Sequence, residues 1–192
     1  FYSQNGLNRP IRLSEKTRQF AYDSLNRVYG LDTLKTPFID LSAIENFERL
    51  TNLDKYDISI MEIAKNAPIR ICENERLSGA ATLGDAIFHY LPTRYNDERL
   101  IFGVSHLTVH FESVLKEGVN GIERKVDSAL EKFRGSEKER FLVSCKTCID
   151  AFRLWHKRYL DELRGKKEYQ KNYENLLRVP FEPARNFYEA VQ

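Results

Sequence analysis

From Ser136 to Leu163 the chain runs without a glycine or a proline, and this run limits the fold more than any other feature. Its apolar residues are Phe141, Cys145, Cys148, Phe152, Trp155, Tyr159 and Leu163, at spacings of three and four throughout. That period places them along one stripe of an α-helix. Ser136-Glu137-Lys138-Glu139 supplies the capping residues at its start. At about 1.5 Å rise per residue the helix extends roughly 40 Å. The rest of the chain keeps largely to the same period, and the fold class that follows is mainly α.

Ser14-Glu15-Lys16-Thr17 opens a helix with Phe20, Ala21, Leu25 and Val28 on one face, and Gly30 stands where a helix ends. Pro37 punctuates the chain, and the capping pattern Ser42-Ala43-Ile44-Glu45 predicts a second helix carrying Ile44, Phe47 and Leu50. A third is expected from about Ile58 to Lys65, stopped by Pro68. Between 69 and 79 the grammar changes. Ile69-Arg70-Ile71-Cys72 alternates, Glu73-Asn74-Glu75 turns, and Leu77-Ser78-Gly79 resumes an extended pattern, as in a short β-hairpin. Asp85–Leu91 reads as a helical turn or two, and a second extended piece is expected at 100–104. Helical periodicity returns after His106, in one segment leading to Gly118 and another leading to Gly135. A helix at about 166–177 is broken by Val179-Pro180, and Pro183 begins the final one. No repeat and no linker divides the chain, so 1–192 reads as a single helical unit. The chain starts without Met and stops within a helix, so a segment of a longer polypeptide, cut at its C-terminal side, is expected.

Composition excludes several classes of partner. Thirty Lys and Arg against 28 Asp and Glu leave a net charge of +2, too balanced for a nucleic-acid or polybasic membrane surface. No apolar run approaches the roughly 18 residues of a membrane span. Three cysteines make no disulfide framework. A cytoplasmic chain, with neither nucleic acid nor membrane as partner, is the expectation.

Few residues carry a chemical signature. Cys145 and Cys148 form one C-x-x-C. A zinc site would want a second ligand pair, and a redox site would want the motif at a helix N-terminus. Both thiols lie inside the long helix on its apolar stripe, which favours packing; Cys72 reads the same way. His106 and His110 are four apart with Glu112 nearby, but H-E-x-x-H is absent and no third ligand is evident, so no metal site is assigned. On local sequence His106 is a capping or surface histidine, and His110 a surface residue of the first helical turn. The basic residues Arg153, Lys157, Arg158, Arg164, Lys166 and Lys167 interleave with Asp161, Glu162 and Glu168, as on a solvated, ion-paired face. Phosphate-binding and nucleophile-elbow motifs are absent.

Three stretches, in order, carry a resemblance. Ala67-Pro68-Ile69-Arg70-Ile71 precedes Glu75-Arg76-Leu77-Ser78-Gly79. Gly103 and His106 lead to Phe111-Glu112-Ser113-Val114-Leu115-Lys116-Glu117-Gly118. Asn175-Leu176-Leu177-Arg178-Val179-Pro180 is followed by Pro183 and Phe187-Tyr188-Glu189-Ala190-Val191-Gln192. Together they resemble the N-terminal helical region of glycyl radical enzymes of the pyruvate formate-lyase-like family. There the patterns are P-I-x-I with E-L-I-V-G, P-D-Y-x-x-V-L-x-x-G, and R-V-P then F-x-E-A-x-Q. Val109, His110 and Phe111 depart from that family's Pro, Asp and Tyr.

The resemblance implies a parent enzyme in which a C-terminal glycyl radical oxidises a mid-chain cysteine to a thiyl. The thiyl abstracts hydrogen from a small-molecule substrate, and cleavage of a C–C, C–N or C–O bond follows. A separate S-adenosylmethionine-dependent activating enzyme installs the radical. Neither the C-x-E loop nor the R-V-x-G-[YF] loop occurs in this sequence. This segment would then hold no catalytic residue, bind no cofactor or metal, be inactive alone and serve as scaffold, with a homo-oligomer possible for the parent. The resemblance gives one site residue, His106, which matches a position where some members set a polar side chain against the substrate. The alternative is a non-catalytic helical binding or interaction module.

Overall fold

The computed structural model describes residues 13–31, 35, 38–82, 93–96, 98–99 and 109–192. Within them the fold is mainly α. Helix α1 spans Glu15–Leu25, α2 Asn52–Asn66, α3 Phe111–Lys132, α4 Glu139–Leu163, α5 Gln170–Leu176 and α6 Phe187–Val191. Three short strands, β1 (Ile39–Asp40), β2 (Thr93–Tyr95) and β3 (Glu98–Arg99), form a small sheet. β1 runs parallel to β2 with Ile39 opposite Thr93, and β3 runs antiparallel to β2 with Glu98 opposite Tyr95.

The long helix is the axis of the arrangement. α4 packs against α2, α3 and α5. Tyr159 and Leu163 on α4 meet Leu176 on α5, and Ile69, Ile71, Trp155 and Tyr173 close around them. The stripe read from the sequence is only partly covered: Leu163 is fully buried, whereas Phe141 is 61% exposed. Polar Ser144 and His156 are buried on the same helix, which is therefore packed on more than its apolar stripe.

Local chemistry sets the boundaries. Ser14 Oγ accepts from the Thr17 N–H and starts α1; Arg27, at φ 64°, turns the chain out before Val28–Gly30. The expected helix over Ile44–Leu50 is not α. Asn46 sits at φ 56° and leaves a single 3₁₀ turn, Phe47–Arg49, whose buried Phe47 ring meets Tyr95 with centroids 4.9 Å apart. α2 begins earlier than expected because Thr51 is its cap, and it ends at Asn66, where Ala67 before Pro68 leaves the α region.

The hairpin expected at 69–79 does not form a ladder: 69–72 is in no strand and 73–79 is mostly turns and bends. Backbone N–H groups there bond to side chains, as at Arg70, Cys72 and Ser78, or to carbonyls within the turns, as Glu75 N does to Cys72 O. The extended piece expected at 100–104 and the helical turns at 85–91 lie outside the described residues. α6 starts at Phe187 rather than at Pro183, because Asn186 Oδ1 caps it through the Glu189 N–H at 3.0 Å.

Candidate functional site

Residues from two of the resembling stretches meet in one polar latch. At its centre is Glu75, 6% exposed. Its carboxylate accepts from the backbone N–H groups of Cys72 (3.2 Å), Ala80 (2.6 Å) and Ala81 (3.3 Å), so one side chain organises the whole turn. Burial pushes this carboxyl above its ordinary range, and those N–H donors pull the other way. The turn passes through Asn74 at φ 63° and Gly79 at φ 88°.

The C-terminal residues grip that turn. The Gln192 side chain copies a strand partner: Oε1 accepts from Ser78 N at 3.1 Å and Nε2 donates to Ser78 O at 2.9 Å. Tyr188 Oη donates to Arg76 O at 2.6 Å, and Asn172 Nδ2 donates to Arg76 O at 3.3 Å. Behind them, Arg185 and Arg178 converge on the buried carboxylate of Glu189. Arg185 holds that carboxyl below its usual range, with side-chain and backbone bonds together.

The stretch that ends at Gly118 joins through the 178–182 turn, which contains the cis Val179–Pro180 bond. Gly118 interrupts α3 at φ 65° and ψ 174°. A Cβ there would lie 2.2 Å from Phe181 O, so only glycine fits. The two residues after it bond to the turn: Val119 N donates to Pro180 O at 2.9 Å and Asn120 N to Phe181 O at 3.1 Å.

Next to the latch is a cavity of about 240 Å³ walled by Ser78, Gly79, Trp155, His156, Pro180 and Gln192. The polar groups of Ser78, His156 and Gln192 are already bonded to one another's segments, so the cavity is framed by structural contacts. A second cavity, about 310 Å³, adjoins the first across Phe152 and Trp155 and is apolar, lined also by Tyr56, Ile60, Ile63 and Cys148.

His106 lies outside the described residues, as does Gly103. His110 is not a plain surface residue of the first turn. It is the cap of α3, and its Nδ1 accepts from Ser113 N at 3.4 Å. A histidine cap is rare beside the Ser, Thr, Asp or Asn a sequence reader looks for. Cys145 and Cys148 are half-buried, and Cys148 Sγ lies 3.9 Å from the Tyr56 hydroxyl. Burial pushes both thiols up, which makes them poor nucleophiles. Among the described residues no group of three His, Cys, Asp or Glu could hold a metal ion. No helix among them is long and apolar enough to cross a membrane.

Sequence reading gave no role to His156 or Asn172, both buried and both bonded across elements. Their polar character on buried faces was the only signal, and the face itself is set by packing.

Comparison with known proteins gives the same direction. The family model for pyruvate formate lyase-like proteins matches residues 80–192. The chain is similar to the isethionate sulfite-lyase of Bilophila wadsworthia (strain 3_1_6), 34% identical over 98 residues, covering 43% of this chain and 12% of that protein. Two solved structures resemble it in fold. A Roseburia inulinivorans protein of 1,2-propanediol dehydration matches with TM-score 0.64 and 21% identity, over 96% of this chain and 33% of that one. The glycerol-bound, B12-independent glycerol dehydratase from Clostridium butyricum matches with TM-score 0.62 and 20% identity, over 93% and 33%. The chain thus spans a third or less of the length of each of these proteins.

Proposed function

Since this chain belongs to the pyruvate formate lyase-like family, we propose that it forms the N-terminal helical scaffold of a glycyl radical lyase or dehydratase. The observation that carries the reading is the convergence at the latch. Glu75 to Gly79, Gly118, and Arg178 to Gln192 are distant in sequence, yet they are bonded or packed into one structure. Residues that resemble the family's patterns thus have a shared architectural reason to be there.

In this reading the thiyl cysteine and the radical glycine belong to the remainder of a longer cytoplasmic parent, and a separate S-adenosylmethionine-dependent enzyme installs the radical. Residues 1–192 act as one unit, bind no cofactor or metal and do no chemistry alone; the parent assembles as a homo-oligomer. The relatives' names point to elimination: one releases sulfite, and the two others are tied to dehydration. A small polar substrate that loses a leaving group fits that set.

His106 would hydrogen-bond the substrate's polar group or pass a proton to the departing one. The supporting feature is its place in sequence four residues before the His110 cap of α3, ahead of the turns that Gly118 interrupts. In the activated parent, His106→Ala should cut turnover by about tenfold or more, as expected for a buried hydrogen bond worth about 1–3 kcal/mol. Radical content, read by electron paramagnetic resonance, and thermal stability should hold. His110→Ala should do the opposite, lowering the melting temperature by loss of a cap worth about 1 kcal/mol while leaving turnover near normal. Full turnover by His106→Ala would refute the substrate role. A reading frame after Gln192 lacking both the C-x-E and R-V-x-G-[YF] loops would refute the enzyme and leave a helical interaction module.

A further inference from the structure

Two helical stripes form the apolar groove between α2 and α4. Tyr56, Ile60 and Ile63 face it from α2, and Cys148, Phe152 and Trp155 face it from α4. Each set steps by four and then three residues, so the groove follows both helices lengthwise. Bonds between the helices close its ends, Arg140 to Asp54 and Asp57 at one and Arg158 to Ala64 O at the other. Between those ends it is open: Tyr56 and Phe152 are each 41% exposed. An apolar surface left open and rimmed by polar residues marks a place where something docks.

Arg158 puts a charge at one end. Its guanidinium lies 5.3 Å from the centre of the Trp155 ring, and Nη1 donates to Ala64 O at 2.8 Å. Among the described residues no carboxylate forms an ion pair with it, whereas Arg153 and Lys157 on the same helix each have one. A cation held by a carbonyl and an aromatic ring beside an apolar groove suits an acidic side chain that flanks apolar ones. Phe152 and Trp155 also wall the cavity that Gln192 borders. Tyr188 lies by Lys171 Nζ at 4.5 Å, and Gln192 Oε1 accepts from Asn175 Nδ2 at 3.5 Å. α6 therefore runs alongside α5 in the same sense and delivers the chain to those two α4 rings.

We propose that the α2–α4 groove seats an apolar segment of the parent polypeptide that follows Gln192, with an Asp or Glu of that segment on Arg158. The proposal rests on the reading of residues 1–192 as part of a longer parent. This chain covers 33% of each solved structure it resembles, so in that reading most of the parent lies outside these residues. A second copy is the poorer occupant. Stable dimers use roughly 20–30 residues a side, and eight wall this groove.

The test is made on the full-length parent, without activation or turnover. With p-benzoylphenylalanine in place of Phe152, ultraviolet light should join α4 to a peptide beyond Gln192 in the same chain, located by mass spectrometry. A cross-link between two chains, one confined to residues 1–192, or none at all overturns the proposal. Cys148, which lines the groove, gives a second readout that needs no unnatural residue. In the folded parent Arg158→Glu should speed its labelling by thiol reagents roughly fivefold, as for loss of an ion pair at a partly exposed site. Arg158→Lys keeps the charge and should keep the slow rate. No acceleration in Arg158→Glu, or equal acceleration in Arg158→Lys, overturns the proposal. Neither readout uses the radical, so a parent without the C-x-E and R-V-x-G-[YF] loops would refute the enzyme while the docking is still decided by these measurements.

Discussion

The two sides of α4 are built on different principles. Toward α2 the contact is apolar, with Ile60, Ile63, Cys148 and Trp155 around an open groove. Polar grips fasten its two ends: Arg140 Nε reaches Asp54 at 3.1 Å, Arg140 Nη2 reaches Asp57 at 2.7 Å and Ser144 donates to Asp57, while further along Arg158 Nη1 donates to Ala64 O at 2.8 Å. Toward the 178–182 turn and the 72–81 loop, the contacts are directional and many of them involve backbone. A methyl group can be replaced by another of similar volume, since dispersion and burial are non-directional. A side-chain amide paired to both polar groups of one residue cannot. The resembling patterns fall mostly on the second side, where many contacts depend on residue identity atom by atom.

Substitutions can break this contrast. The largest effect belongs to Gly118→Ala, which puts a Cβ into the Phe181 carbonyl at a positive φ. It should cost about 3 kcal/mol or more in denaturant unfolding; a loss below about 1 kcal/mol would show that the turn yields easily. Glu75→Ala comes next. It leaves the Cys72, Ala80 and Ala81 N–H groups without their acceptor, for about 2–3 kcal/mol, and Glu75→Gln should recover part of that by keeping one oxygen. Equal losses in the two variants would mean that volume, not hydrogen bonding, holds the loop.

Gln192→Ala should cost about 1 kcal/mol, with faster amide exchange concentrated at Ser78. A uniform change across the chain would contradict a local latch. The smallest effect is expected on the apolar side, where Cys148→Ala should cost under about 1 kcal/mol because the thiol is only half-buried. In the unaltered chain, Cys145 and Cys148 should react with thiol reagents at least about tenfold more slowly than after unfolding. Rapid labelling of the folded protein would show that the groove opens in solution.

Much of the helical plan could be read directly. The period of the run to Leu163, the stop at Pro68, the break at Gly118 and the start at Ser14 are each set by nearest-neighbour chemistry. The cap expected at Ser136 is not used, and the long helix starts at Glu139 with no side-chain cap. The misreadings have a common cause. At 44–50 a capping pattern lost to Asn46 in the left-handed region, and at 183 a proline lost to the Asn186 cap three residues on. At 69–79 an alternating pattern had the composition of a strand, but the donors of its turn went to Glu75 and Gln192.

What the sequence by itself determined is therefore most of the helices among the described residues and the family that its ordered patterns resemble. Only the tertiary structure decided which polar side chains meet. Gln192 finds Ser78 across 114 positions, and His156 finds Val179 across 23. Such pairs depend on where whole helices sit. That placement comes from burying apolar surface over many residues at once, and no local pattern encodes it.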